Sequence, residues 1–477
     1  MSTAKTIARN TGILFAADIF NHFFAFLLVV LITNALGTDG FGKYSFAFAF
    51  INVVAIFAHL GMRTYVFREI AKEPEQAKAL VDNTLTIRML ATILVYGLSF
   101  GAIFFLPKAR EVAGPIMLVM VHELFVVFST LARTVFNAYE KNQYAMSSLV
   151  IEKVSSLVLG GLALLGGFGL HGLIVGLIAA QAIGAVYCYW ILLRNFAAPS
   201  FGFDFRLWKR LLRNSLPFWL TVVFQKINYK IDVVMLGNLK DYATTGIYGA
   251  ASSIVSTLTF IPGVIITASF PAMARFFHKK TGNLHLLYEK VFYYLLALGL
   301  PAAVGLSLLS DDIIMFLFQE KFAGAGAMLQ ILGWSVLFIF LSTASGHLLN
   351  AINKQHFFTI ATGITAALNI VLNWVFIPRF GGIGAALATL IAQFFLFTKL
   401  FTFGAIHGFP LKLSRLALKP SIAALAMGAQ LSYLPFGNLG LNIVIGALVY
   451  FAVLFLIGGI EKEEQGLVSG LFRRKKA

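Results

Sequence analysis

Two lysines lie one helical turn apart in the middle of an apolar stretch in the second half of the chain. Lys226 and Lys230 fall within the segment 215–236, and a spacing of four places them on one face of a helix. A charged side chain at the centre of a membrane helix costs about 2.5–3.5 kcal/mol on insertion scales, so it faces a cavity or a partner rather than lipid. The pattern predicts a helix that turns two ammonium groups toward an aqueous cavity, where they would bind an anion.

The same segment carries a second set of polar residues at a spacing of i, i+3, i+4 and i+7. This set consists of Gln225, Asn228, Tyr229 and Asp232. It adjoins the lysine face, so nearly half of the helix circumference is polar and cannot face lipid. In the alternative interpretation Asp232 neutralises one lysine and the group only joins helices. Two lysines and one acid leave one positive charge without a partner, which favours a substrate-binding role. The predicted binding residues are Lys226 and Lys230, with Gln225, Asn228 and Tyr229 beside them.

Five further ionisable residues lie inside apolar stretches. Arg88 and Arg133 lie near stretch ends, where we expect them to line the same cavity, although both are also able to reach the membrane surface. Asp18, His22 and Glu123 lie deeper. Together with Asp232 they are candidates for coupling to a proton or a sodium ion, or for pairing with a cation. The embedded charge is net positive, and phosphate groups fit such a cavity.

Composition explains which elements position these residues. Hydrophobic residues make up 59% and charged residues 12% of the 477, and the mean hydropathy is +0.84. These values predict an all-α polytopic membrane protein with about fourteen transmembrane helices. The apolar stretches are 12–36, 41–60, 84–106, 113–137, 147–168, 170–193, 215–236, 246–270, 289–309, 327–349, 357–377, 382–406, 420–434 and 440–460.

Several classes of function are disfavoured by the same sequence. Cys188 is the single cysteine and the histidines are scattered, so we expect neither a disulfide nor a metal site. No G-x-x-x-x-G-K-[ST] pattern occurs and the connections are short, so we expect no nucleotide cofactor and no catalytic domain. The net charge of +17 does not indicate nucleic acid, because its placement has another explanation.

That explanation is membrane orientation. With the N-terminus inside, the connections on the cytoplasmic side and the two termini hold about 24 of the 37 Lys and Arg residues, against about six outside. This bias predicts cytoplasmic termini. The basic stretch from Phe203 to Arg213, which mixes phenylalanine, tryptophan and leucine with cations, predicts an interfacial helix on anionic headgroups, with a solvated linker as the alternative.

The chain also repeats itself. Asn137, Lys141, Phe168-Gly169 and Gln181 recur about 212 residues later, and each copy spans six apolar stretches. The counterparts are Asn350, Lys354, Phe380-Gly381 and Gln393. An even number of spans gives both copies the same orientation, which predicts two six-helix lobes as a parallel repeat plus two C-terminal helices. The predicted units are an N-terminal lobe (1–195), an amphipathic linker (196–214), a C-terminal lobe (215–410), and the last two helices with a basic tail (411–477).

The order of several short motifs resembles the polysaccharide transporters and O-antigen repeat-unit flippases of the multidrug/oligosaccharidyl-lipid/polysaccharide exporter superfamily. The resemblance covers nearly the whole chain. It rests on Leu36-Gly37, Gly42-x-Tyr44, Leu60-Gly61-Met62, Arg68-Glu69-Ile70-Ala71, Asn137-Ala138, Glu140-Lys141, Ile231-Asp232-Val233-Val234-Met235-Leu236-Gly237, Gly246-Ile247-Tyr248 and Phe380-Gly381-Gly382-Ile383-Gly384.

The resemblance implies export of oligosaccharides linked to undecaprenyl pyrophosphate across a bacterial inner membrane, by alternating access between two lobes. Its implied partners are the lipid-linked glycan, membrane lipids, and the glycosyltransferases and polymerase of the same pathway. Three rival functions stay open: a multidrug and toxin extrusion cation antiporter, a lipid II flippase, and, from a different class, a membrane glycosyltransferase. The lysines argue against a cationic cargo, and the short outer connections argue against the enzyme.

Overall fold

The computed structural model describes residues 3–459 except 104, 106, 197 and 280–282, with side chains from residue 19 onward except those of 102 and 107. The described chain is helical throughout its membrane stretches, as its apolar composition requires. Its helices are α1 (Thr3–His59), α2 (Met62–Lys72), α3 (Ala77–Ile103), α4 (Pro107–Glu111), α5 (Ala113–Ala138), α6 (Asn142–Leu165), α7 (Gly169–Asn195), α8 (Phe205–Leu239), α9 (Tyr242–Leu258), α10 (Phe260–His278), α11 (Asn283–Leu308), α12 (Ser310–Phe318), α13 (Ala325–Ala351), α14 (Gln355–Ile406), α15 (Leu413–Tyr433) and α16 (Leu439–Leu456).

Each predicted span has a helical counterpart. Ten stretches of the described chain are long and apolar enough to cross a membrane by length and composition. Two of these, α1 and α14, hold two predicted spans each, on either side of kinks at Gly37 and Gly381. The polar helix α8 and the helix α15 account for the remaining two spans. The fold is therefore that of an all-α, multi-pass membrane protein.

The structure differs from the sequence expectations in two places. The predicted linker helix and span 7 form one continuous helix, α8, with Pro217 inside it. Asp204 caps this helix through bonds from the N–H groups of Arg206 and Leu207, so the helix begins well before the apolar stretch. The eighth span is divided into α9 and α10, which meet at Thr259. The boundaries of the predicted units stay a prediction.

The internal repeat is visible in the backbone. After α5 and after α13 the chain turns through a residue with positive φ, which is Glu140 (58°) in the first copy and Asn353 (59°) in the second. The N–H group of the next residue, Lys141 or Lys354, closes the turn with a bond of 2.8 or 2.7 Å to the carbonyl five residues earlier. The sixth span of each copy begins at Gly169 (59°) or Gly381 (57°). Both copies therefore share one backbone path.

The two copies meet at equivalent glycines. A methyl group added at Gly42 would overlap the carbonyl oxygen of Tyr242, and one added at Gly246 would overlap that of Thr38. Each added methyl would also lie 3.0 Å from the backbone nitrogen of the opposite glycine. This reciprocal contact is expected when a pseudo-twofold axis passes between Gly42 and Gly246, because only glycine lets two helices approach so closely. We call this the glycine crossing.

The glycine crossing joins the two lobes at one end of the molecule. Around it, Asn34 donates to the carbonyl of Leu317 at 3.2 Å, and the rings of Phe41 and Phe322 pack edge to face. The hydroxyl of Tyr242 bonds to the carbonyl of Lys108. We call this the outer end and the opposite one, which carries α2, the inner end. The lysine and arginine bias predicts that the inner end faces the cytoplasm.

Candidate functional site

The lysine face of α8 points toward the first lobe. The side chain of Lys226 is exposed, and its Nζ lies 3.5 Å from Oδ1 of Asn52 on α1. Lys230, one turn on, is half-buried, and no hydrogen bond or ion pair joins its Nζ to another described side chain. Nearer the inner end, the indole of Trp219 donates to the carbonyl of Ile56 at 2.9 Å. These contacts place the ammonium group of Lys226 at the boundary between the lobes, and Lys230 lies one turn further along the same face of α8.

Arg88 lies on α3 and bonds to two other helices of the first lobe, α1 and α5. Its Nη2 lies 2.8 Å from Nδ1 of His59 and 3.1 Å from Oγ1 of Thr130. Because a guanidinium only donates, His59 accepts through Nδ1 and carries its single proton on Nε2. The guanidinium is buried, and its Nε has no hydrogen-bond partner among the described residues. A buried cation with an unused donor is a group that an anionic ligand can satisfy.

The second polar set of α8 does not lie together on the cleft. Asn228 is buried and donates to the carbonyl of Thr362 at 3.1 Å, so it joins α8 to α14. Tyr229 is 52% exposed on another side, and Gln225 is half-buried. The four residues form one stripe, as their spacing requires, but α14 packs against its Asn228 and Asp232 side; that Gln225, Asn228 and Tyr229 bind substrate stays a prediction.

Asp232 lies inside the second lobe and pairs with neither lysine. Its Oδ2 accepts from Tyr248 at 2.9 Å and from Thr389 at 2.7 Å, and its Oδ1 accepts from Asn373 at 2.5 Å. The carboxylate is 3% exposed, and no described basic side chain lies within ion-pair distance. The alternative in which Asp232 neutralises a lysine is therefore wrong for the described structure.

The groups that donate to this carboxylate are neutral: two hydroxyls and the Nδ2 amide of Asn373, which also donates to Oδ1 of Asn369 at 3.1 Å. The Oδ1 atom of Asn373 itself is buried without a partner among the described residues. A carboxylate with amide and hydroxyl oxygens is the ligand set that hard monovalent cations prefer, and a buried acid without a counter-charge is also a natural proton carrier. We call Asp232, Tyr248, Asn369, Asn373 and Thr389 the acid cage.

Arg133 is committed to a partner in the first lobe. Its Nη1 lies 2.9 Å from Oε2 of Glu152 on α6, and Nζ of Lys153 lies 3.3 Å from the other oxygen of the same carboxylate. Arg133 and Glu152 are both almost fully buried, with side-chain exposures of 11% and 10%. Glu152 was not among the candidate residues predicted from the sequence. Its carboxylate compensates the charge that we expected Arg133 to offer to a substrate.

The remaining candidates fall in separate places. Glu123 is buried, with its carboxylate 3.6 Å from the ring of the adjacent His122. His22 stacks on Phe260 of α10 at 5.6 Å between ring centroids. The side chain of Asp18 lies outside the described residues. The structure therefore brings Lys226 to the boundary between the lobes, with Lys230 one turn along the same helix, while the printed bonds of Arg88, Asp232, Arg133 and Glu123 lie within single lobes.

Four residues that contact the predicted site residues were not predicted from the sequence. They are Asn52, Glu152, Tyr248 and Thr389. Asn52 and His59 share a polar face of one apolar stretch, which was a usable signal. Thr389 had none, because a single threonine in an apolar helix is common and usually bonds its own backbone, as it also does here with Ala385 at 3.0 Å.

Two family models match overlapping parts of the chain. Residues 7–277 match the family model described as polysaccharide biosynthesis protein, and residues 217–375 match the MatE model. The probable flippase AglR of Haloferax volcanii is 25% identical over 97% of this chain and 98% of its own length.

Two solved structures share the fold. The lipid II flippase MurJ in an inward closed conformation superposes with a TM-score of 0.78 at 19% identity, covering 94% of this chain and 99% of MurJ. An inward-facing multidrug resistance MATE family transporter of the MOP superfamily superposes with a TM-score of 0.66 at 13% identity, covering 83% and 95%. The family model covers more than half of the chain, so this protein belongs to the polysaccharide biosynthesis protein family.

Proposed function

We propose that the protein is a flippase that moves an oligosaccharide linked to undecaprenyl pyrophosphate from the inner to the outer leaflet of a bacterial plasma membrane. The lobes rock about the glycine crossing, and the cleft between them admits the polar headgroup while the lipid tail stays in the bilayer. Transport rather than catalysis accounts for a site made of cations and amides between two related helix bundles.

One observation carries this proposal. Lys226 contacts Asn52 on α1, Lys230 follows it one turn along α8, and Arg88 bonds to His59 on the same helix α1; none of the three has a carboxylate within ion-pair distance among the described residues. Unpaired cations held at membrane depth are costly unless an anion arrives to share them. A pyrophosphate headgroup supplies about two negative charges and several acceptor oxygens, which match three cationic donors.

The direction of transport follows from the charge on the cargo. A pyrophosphate diester that moves away from a negative interior gains about 2.3 kcal/mol per charge per 100 mV, or about 4–5 kcal/mol for two charges. The membrane potential therefore favours export from the inner end. This argument depends on the predicted orientation, in which the basic inner end and both termini lie in the cytoplasm.

The acid cage adds a second route for coupling. A proton or a sodium ion that binds Asp232 would remove an uncompensated buried charge and draw α8, α9 and α14 together, because the cage takes residues from all three helices. The lysine face is on the same helix as Asp232, less than two turns away. Occupation of the cage is thereby able to move the ammonium groups in the cleft.

Two rivals belong to the same superfamily. A lipid II flippase would carry the same pyrophosphate, and the lysine face suits it equally; only the glycan distinguishes it. An extrusion antiporter for cationic drugs is less well supported, because Lys226 and Lys230 would repel its cargo by a few kcal/mol at the separations of a shared cleft.

The test is flipping in reconstituted vesicles, with a fluorescent undecaprenyl-pyrophosphate oligosaccharide and a membrane-impermeant quencher. We expect the double variant Lys226→Ala/Lys230→Ala to lower the flipping rate at least about tenfold, since each charged hydrogen bond contributes about 1.5–3 kcal/mol. Lys399→Ala is the matched control, because this lysine is exposed on α14 and stacks over Phe395 at 5.3 Å, away from the boundary. Equal rates for the double variant and the control would overturn the proposal.

A further inference from the structure

The segment that joins the two halves is fastened to α3 by every second residue. The backbone N–H groups of Ser200, Gly202 and Asp204 donate to the side chains of Asp82, Thr86 and Asn83 at 2.8, 2.9 and 2.9 Å. The three acceptor residues are buried. The hydroxyl of Ser200 adds a bond of 2.7 Å to Asp82, and Lys78 bonds to the same carboxylate at 3.0 Å. The path of this segment is therefore fixed by the first lobe.

Phe201 and Phe203 lie between these anchors, Phe205 follows the last of them as the first residue of α8, and all three rings are exposed. Phe201, Phe203 and Phe205 are 66%, 63% and 71% exposed. An extended segment turns successive side chains to opposite sides, so bonding of the even residues forces the odd ones outward. Trp208 completes the group: its indole donates to Asn83 at 2.8 Å, and its ring lies 5.1 Å from that of Phe205. The outward direction of the rings is thus imposed by the anchors.

Basic residues follow directly on α8. Arg206, Lys209 and Arg213 are exposed, whereas Leu211 on the opposite side is fully buried in the core of the first lobe. The segment lies alongside residues 82–86 of α3. The predicted third span enters the membrane at residue 84, so the segment lies at the height of the membrane boundary. Aromatic rings at this height, with cations beside them, are the composition of a surface that lies on anionic headgroups.

We propose that this linker surface, formed by Phe201, Phe203, Phe205, Arg206, Lys209 and Arg213, binds anionic phospholipids of the leaflet at the inner end. Two considerations favour a lipid over a protein partner: the rings are at the height of the membrane boundary, and the three exposed cations beside them outnumber the one exposed acid, Asp204. Bound lipid would fix the start of α8 while its far end moves with the second lobe. This surface is separate from the lysine face and does not depend on the proposed cargo.

The test uses a nitroxide label on the full chain in vesicles. Cys188 is buried, so a label reacts at an introduced Phe203→Cys, and Glu75→Cys on the exposed 3₁₀ turn at the same end is the control. Accessibility to oxygen and to a water-soluble nickel chelate is measured in phosphatidylcholine vesicles with or without about one third phosphatidylglycerol. We expect the label at 203 to be reached by oxygen and shielded from nickel, more strongly with phosphatidylglycerol, and the label at 75 to be reached by nickel in both.

The basic residues are tested in the same experiment. Each lysine or arginine against an anionic surface contributes a factor of about five to binding, so Arg206→Gln/Lys209→Gln/Arg213→Gln is expected to abolish the effect of phosphatidylglycerol on the label at 203. An unchanged phosphatidylglycerol effect in this triple variant overturns the proposal. So does a label at 203 that nickel reaches as readily as at 75, or one shielded from both probes, which would indicate coverage by protein.

Discussion

The two lobes share a backbone but not their buried polar residues. Equivalent turns at Glu140 and Asn353 and equivalent starts at Gly169 and Gly381 have φ values within two degrees of each other. When Leu36-Gly37 is aligned with Leu236-Gly237, the residue of the first copy that is equivalent to Asp232 is Ile32. Ile32 is fully buried in apolar packing. The fold therefore accepts an aliphatic residue where the second lobe holds a carboxylate.

The rest of the acid cage follows the same rule. Thr389 stands opposite Leu177, which is buried, and only Tyr248 has an equivalent of its own kind, Tyr44. The first lobe instead has Arg133, paired with Glu152, at a position that is Gly346 in the second. Because one lobe folds without each polar group, neither group is required by the backbone. An uncompensated carboxylate inside a membrane protein is unfavourable for folding, so its presence in one lobe argues for a role in transport.

The largest effect is expected where the two lobes touch. Gly246→Leu would place a side chain against the carbonyl of Thr38. The two helices that meet at this glycine would have to move apart, and the packing around the glycine crossing would be lost. We expect this variant to lose flipping activity almost completely while the chain still inserts. The measurement is the vesicle assay, normalised to reconstituted protein.

Gly249→Ala is the control for the glycine crossing. An added methyl there would lie 3.1 Å from the hydroxyl of Ser45 and 3.2 Å from the ring of Phe41, side-chain atoms that need to shift by only a few tenths of an ångström, so activity should fall less than about threefold. Activity in Gly246→Leu equal to that in Gly249→Ala would mean that the outer end does not need to be closed for transport.

The next effect concerns the acid cage. Asp232→Asn keeps the shape of the side chain but removes the charge that would bind a cation or a proton, so we expect flipping to fall about a hundredfold, comparable to the loss of an essential charged group. Thermal stability should be unchanged or higher, because an unpaired buried carboxylate is replaced by a neutral amide.

Tyr248→Phe sharpens this prediction, since it removes one donor at 2.9 Å and leaves the carboxylate in place. It should cost less than about tenfold in rate. In the parent protein, melting temperature should depend on sodium concentration or on pH, and Asp232→Asn should lose that dependence. A variant that melts lower and flips normally would make the acid cage structural.

The sequence predicted the spans and the repeat because apolar length and fixed spacing report them directly. It also predicted that Lys226 and Lys230 share a face, which follows from helix geometry alone. It did not predict the partners of Asn228 and Asp232, because most of them lie on α14, more than 130 residues away in the sequence. Glu152 escaped notice because Lys153 beside it suggests a local surface pair, whereas its main partner is on another helix.

The next prediction concerns the stability of the first lobe, where Arg133 and Glu152 form a buried ion pair. Glu152→Gln would leave the guanidinium of Arg133 buried without its anion, which costs about 3–5 kcal/mol when one partner of a buried pair is removed. We expect a lower midpoint of unfolding in a detergent titration with the flipping rate per folded molecule little changed. The double variant Arg133→Met/Glu152→Leu should recover most of the loss. Failure to recover would show that Lys153 or nearby polar groups depend on the same carboxylate.

The smallest effect compares one serine in its two copies. In the first lobe the amide of Gln181 donates to Ser129 at 3.3 Å, whereas the equivalent Ser342 has a buried hydroxyl with no partner among the described residues. Ser129→Ala should therefore lower the free energy of unfolding by about 1 kcal/mol, and Ser342→Ala should leave it unchanged or raise it slightly. Both are read in the same detergent titration. Equal losses would mean that Gln393 reaches Ser342 in another state of the transport cycle, so that the two copies exchange roles as the lobes move.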